Sequence, residues 1–108
     1  MYFPRSSALF EFLILGILDF DDSYGCAIWQ AIKLIADIKE STLYPILKKL
    51  EKSQYLETYS QEYQGRKRKY YSLTPTGQKQ LVSLKKEWEL YTSMIKGIIE
   101  GSVRHDKN

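Results

Sequence analysis

Nine residues of alternating character, Tyr55 to Tyr63, run into Gln64-Gly65, then into four consecutive cations, Arg66-Lys67-Arg68-Lys69, and then Tyr70-Tyr71. No other stretch restricts the fold as strongly. Side chains two apart share one face of a strand, so Tyr55, Glu57, Tyr59, Gln61 and Tyr63 face one way and Leu56 and Thr58 the other. Gln64 to Arg68 reads as the turn and Lys69 to Leu73 as the returning strand. Four adjacent positive charges repel one another and are costly to bury, so a hairpin tip carrying them is a solvated loop or faces a polyanion.

Helical patterns precede the hairpin. The first runs from about Ser7 to Phe20, and apolar residues nearly encircle it, which calls for cover on two sides. Glu11 interrupts its apolar run Leu9 to Phe20, and the run is shorter than the ~20 residues of a membrane span. Asp21-Asp22-Ser23 breaks the pattern and offers Asp22 or Ser23 as a helix cap. A second helix, about Tyr24 to Ile35, buries Ala27, Ile28, Ala31, Ile32 and Ile35 at three- and four-residue spacing. A third runs from about Lys39 or Glu40 to Ser53, with Leu43, Ile46, Leu47 and Leu50 inward. Pro45 suits a start near Ser41; an earlier start implies a kink. After the hairpin, Thr74-Pro75 reads as a cap and first position of a last helix. Three helices, a two-stranded hairpin and a long helix make a mainly α chain, a winged helix-turn-helix over residues 1–74. Residues 75–102 form a C-terminal dimerisation helix, and 103–108 are expected to be a disordered tail.

In the last helix Leu81, Leu84, Trp88, Tyr91, Ile95 and Ile98 follow one another at alternating three- and four-residue steps, a heptad seam. The preceding elements already supply one core, so the seam is expected to meet a partner helix, most simply a second copy of the chain about a two-fold axis.

Catalysis has little to build on. One histidine, His105, and one cysteine, Cys26, cannot assemble a catalytic triad or a metal site, and the glycines stand singly. No cofactor is expected. Cys26 reads as an inert, buried thiol, although its position also admits a redox role. A lone cysteine and no recognisable signal peptide suggest a cytoplasmic protein with no membrane partner. The net charge is +3, yet Lys39 to Leu73 holds eight Lys/Arg against four Asp/Glu and the remainder eight against nine. The positive excess is therefore local, as a nucleic-acid footprint requires. On this reading Ser41, Thr42, Tyr44, Lys48 and Lys49 of the third helix enter a major groove of double-stranded DNA. Arg66, Lys67, Arg68 and Lys69 meet phosphates or the minor groove, and the amino end of the second helix at Tyr24 meets another phosphate. Tyr44 is equally placed to pack on the hairpin. A protein-interaction module and a non-specific nucleic-acid binder remain as alternatives.

Four stretches, in this order and spacing, resemble the PadR family of bacterial transcriptional regulators. They are Leu13-Ile14-Leu15-Gly16-Ile17-Leu18, Tyr24-Gly25-Cys26-Ala27-Ile28, Ser41 to Glu51, and Gly65 to Thr74. The Thr42-Leu43-Tyr44-Pro45 and Gly65-Arg66 to Tyr71 segments together carry most of the specificity. The resemblance implies a winged-helix homodimer that represses transcription from a two-fold operator, in a short form with one dimerisation helix. It also implies that Trp88 is a candidate to stack on a small planar aromatic effector between protomers. The competing reading of Trp88 is a plain interface anchor.

Overall fold

A computed structural model describes residues 6–101. The expected tail at 103–108, with His105, lies outside them. The element order is α1 (Ser6–Phe20), β1 (Ser23–Tyr24), α2 (Gly25–Lys33), α3 (Glu40–Lys52), β2 (Leu56–Tyr63), β3 (Arg66–Leu73) and α4 (Pro75–Ile99). The chain is mainly helical with a small antiparallel sheet, a winged helix.

The sheet has three strands in the order β1-β3-β2, one more than the sequence suggested. Ser23 pairs with Tyr71 and Tyr24 with Tyr70. The cap expected from Asp22 or Ser23 is therefore absent. Tyr24 stands at the N-cap without a side-chain hydrogen bond, because Ser23 is drawn into the sheet and the Asp22 carboxylate accepts a 2.7 Å hydrogen bond from the Tyr59 hydroxyl.

Ile14, Leu15 and Leu18 of α1, Ile28 and Ile32 of α2, and Leu43, Leu47 and Leu50 of α3 meet in one core with Leu56, Tyr71, Leu81 and Leu84. The second helix stops two residues earlier than expected. The amides of Ile35 and Ala36 both bond to the Ile32 carbonyl. That turn leaves Ile35 exposed rather than buried, and Ile38 takes its place in the core. Trp29 Nε1 fixes the turn by donating to the Ile38 carbonyl at 2.8 Å. The third helix takes the earlier of its two possible starts. Pro45 is thus its sixth residue, where it has no N–H for the Ser41 carbonyl.

Two tight junctions hold the wing and α4 against α3. At the end of α3 the Tyr55 amide bonds to the Leu50 carbonyl and the Gln54 amide to that of Glu51. This is a Schellman closure with Gln54 at φ 65°, a place where glycine is usual. The carbonyls of Gln54 and Tyr55 then accept from the Thr74 hydroxyl at 2.7 Å and the Thr74 amide at 3.1 Å. Thr74 caps α4 as expected, its hydroxyl accepting from the Gly77 amide at 2.9 Å, with Pro75 in the first turn.

Candidate nucleic-acid interface

Along α3, Ser41, Tyr44, Lys48 and Lys52 recur at steps of three, four and four, and all are exposed. Such steps place them on one stripe of the helix. Across from that stripe stand Lys69 and Tyr71 of β3. Tyr44, Lys48, Glu51, Lys52, Lys69 and Tyr71 line a cleft of about 650 Å³ between helix and wing. Thr42 is exposed on the first turn. Lys49 points elsewhere: its ammonium lies 2.8 Å from Oε2 of Glu11 on α1, a carboxylate only 5 % exposed. The ion pair draws Lys49, expected in the groove-facing set, toward α1 instead, because burying a carboxylate is costly unless a cation pairs with it.

The wing differs from the sequence reading in one decisive respect. The turn is only Gln64-Gly65, with φ of 52° and 78°, the two positive values of a two-residue primed turn. All four cations therefore lie within β3, not on a five-residue tip. Strand alternation divides them. Lys67 and Lys69 share the face of Tyr71, which turns to α3. Arg66 and Arg68 share the face of Tyr70. Lys69 sits 3.5 Å from Glu51 of α3, and the Thr58 hydroxyl of β2 donates to the other oxygen of that carboxylate at 3.3 Å. Glu51 thus ties both wing strands to α3. Sequence reasoning passed over it, although its position seven residues after Tyr44 put it on the same stripe.

Tyr44 closes the angle between α2 and α3. A Cβ built on buried Gly25 would stand 2.6 Å from Tyr44 Cε1, so the ring occupies the space a side chain there would need. Partial burial, and after it the Glu40 carboxylate, Cys26 and Tyr71, raise the Tyr44 phenol above its ordinary value. Cys26 is exposed, not buried as expected: the first turn of α2 rests on Tyr44 through Gly25, which leaves the next residue at the mouth. Tyr24, Gly25, Cys26, Tyr44, Lys67, Arg68, Lys69 and Tyr71 all border a second opening, of about 440 Å³.

The expected seam of α4 splits in two. Leu81 and Leu84 are buried in the chain's own core, a correction to their assignment as partner-facing. The first turns of α4 cover α1, and only the later turns extend past it. Trp88 packs on Phe12 of α1 at 5.9 Å between ring centroids and on Tyr91 at 6.2 Å. Beyond it Leu90, Met94, Ile95, Ile98 and Ile99 are exposed. An apolar groove of about 360 Å³ lies alongside, lined by Phe12, Leu13, Gly16, Ile17, Phe20 and Leu81.

Among the described residues there is no group of three or more His, Cys, Asp or Glu that could hold a metal ion. No helix among them is long and apolar enough to cross a membrane.

Residues 14–83 match the model of the transcriptional regulator PadR-like family. The chain belongs to the PadR-like family. A PadR family transcription regulator from Clostridium difficile superposes with a TM-score of 0.78 at 30 % identity, over 83 % of this chain and 97 % of that one. A crystal structure from Streptococcus mutans superposes with a TM-score of 0.90 at 64 % identity, over 98 % of this chain and all of that one. An uncharacterised protein of Lysinibacillus sphaericus is 37 % identical over 94 residues, 82 % of this chain and 86 % of the relative. As a PadR-like protein the chain is a DNA-binding transcriptional regulator.

Proposed function

We propose that this regulator is a sequence-specific repressor that binds a two-fold DNA operator as a homodimer. The observation carrying the proposal is the shared cationic border of α3 and the wing: Lys48 and Lys52 on one side, Lys67 and Lys69 on the other, with Tyr44 between them. Exposed Ser41, Thr42 and Tyr44 at the amino end of α3 read base edges in the major groove, as the leading residues of a recognition helix do. Lys48, Arg66, Lys67 and Lys69 meet phosphates and set register. The amino end of α2, which has no side-chain cap, offers its amides to a further phosphate. The protomers pair through the distal turns of α4, whose exposed Ile95 and Ile98 require cover. A planar aromatic effector that reached Trp88 would act on this pairing and so on DNA affinity.

Selection of bound fragments from random duplex DNA, followed by competition, tests the reading. The expected result is a two-fold motif whose half-sites lie ~34 Å apart or a multiple of it, retained against ~10³-fold excess of random duplex. Equal competition by random duplex overturns sequence specificity. No binding at low salt overturns the nucleic-acid role in favour of a protein-interaction module. A reporter placed behind the selected site should fall when the protein is supplied; a rise overturns repression.

A further inference from the structure

The four wing cations are contiguous in sequence but hold different environments. Lys67 and Lys69 lie on the α3 side. Arg68 alternates to the other face of β3 and, though it borders the same opening at the edge by Tyr24, it is half-buried, with its guanidinium carbon 4.1 Å from the ring centroid of Tyr24 and 4.2 Å from that of Tyr63. Tyr24 belongs to β1 and leads directly into α2; Tyr63 is the last residue of β2 before the turn. The guanidinium therefore bridges the hairpin tip and the entrance of the helix-turn-helix. Beside it, Tyr24 packs edge-on against Tyr70, and Tyr70 stacks on Tyr59, both at 5.6 Å between centroids. The Tyr59 hydroxyl, bonded to Asp22, closes the row at the residue before β1.

A planar cation over an aromatic face is attracted to the ring quadrupole, and arginine suits this better than lysine because its plane stacks. Here two rings from two strands share one guanidinium. Neither strand pairs with the other directly, since β3 lies between β1 and β2. Together with the Tyr59–Asp22 hydrogen bond, the guanidinium ties the hairpin to β1 across this face, and it does so at the hairpin's outer end. We propose that Arg68 is a positioning residue: it fixes the angle of the wing relative to α2 and α3, while the wing's phosphate contacts fall to Arg66, Lys67 and Lys69. This rests on the reading that α3 and the wing together bind duplex DNA.

The test is the salt dependence of operator binding by the full chain, measured for the wild type, Arg68→Met, Arg68→Lys, Tyr63→Leu and the Lys67→Ala/Lys69→Ala double variant. The double variant should flatten the slope by up to ~3.6 units per dimer, at ~0.9 per phosphate contact. Arg68→Met and Tyr63→Leu should each weaken binding about tenfold with the slope unchanged. Arg68→Lys should fall with Arg68→Met, since it keeps the charge and loses the planar stack. A slope lowered by ~1.8 units per dimer in Arg68→Met, or full rescue by Arg68→Lys, makes Arg68 a phosphate contact and overturns the inference. Should Arg68→Met not fold, Tyr63→Leu decides alone, because its ring is largely exposed: undiminished affinity overturns the inference. A wild type that binds no duplex at all overturns the DNA reading itself.

Discussion

The ring of Tyr44 lies over Gly25, with Cε1 2.6 Å from the point where a Cβ would stand. The contact ties α3, the helix proposed to read DNA, to the first turn of the helix before it. In Gly25→Ala the obstructing atoms are the far end of a side chain that is 42 % exposed, so the ring swings outward and the fold survives. The expected result is a small change in urea midpoint and a roughly tenfold loss of operator affinity, ~1.4 kcal/mol. A variant that binds as well as the wild type removes Tyr44 from the interface.

Gly77→Ala should behave in the opposite way. Its Cβ would stand 2.2 Å from the Tyr55 carbonyl oxygen, and backbone at a helix junction cannot swing aside. A loss of roughly 1–3 kcal/mol, the usual cost of overpacking, is expected by urea denaturation.

Gln54 holds φ 65° at the end of α3, a region where a side chain costs about 1 kcal/mol or more. Gln54→Gly should raise the urea midpoint with an unchanged slope. At the hairpin, Gln64→Asn should do the same to a smaller degree, because asparagine favours the first position of this turn. A lowered midpoint in either would contradict the backbone geometry.

Two phenols give the fold an alkaline limit. Tyr59 is raised above the ordinary tyrosine value, first by its hydrogen bond to Asp22, and Tyr44 by its burial. A raised phenol keeps its proton longer in the folded chain than in the unfolded one. Its stabilising effect is complete below the unfolded value of about 10 and is lost as pH rises through the folded value. The unfolding midpoint should fall between about pH 9 and pH 11, and fall less in Tyr59→Phe. Equal falls would exclude the Asp22 hydrogen bond as a cause.

The two halves of α4 should separate by mutation. Ile95→Asp leaves the core intact and is expected to give a folded monomer in sedimentation, because a carboxylate in the proposed pairing surface goes unpaired. Leu84→Asp places that charge in the chain's own core, where Leu84 is fully buried. A loss of roughly 3–5 kcal/mol is expected.

Much of the fold was legible because its signals are local. Period-two alternation marked the hairpin, the Leu43, Leu47 and Leu50 spacing marked α3, and Thr74-Pro75 marked the start of α4. What escaped depends on partners distant in sequence. Nothing near Ser23-Tyr24 announces a strand, since its pairing with Tyr70 and Tyr71 becomes available only after the hairpin forms. In sequence the cations belong on a tip because four adjacent like charges need solvent, a need that exposed positions of a strand after a two-residue turn also meet. By its position alone Lys49 is one more basic residue of α3, and the partner that distinguishes it, Glu11, lies 38 positions earlier. Leu81 and Leu84 fit a heptad and a core equally well; periodicity names the face of a helix but not what that face meets.

The fastening of Thr74 and Gly77 to Gln54 and Tyr55 leaves no swivel between α3 and α4. A grip on the far end of that 25-residue shaft therefore bears directly on α3, the helix proposed to read DNA.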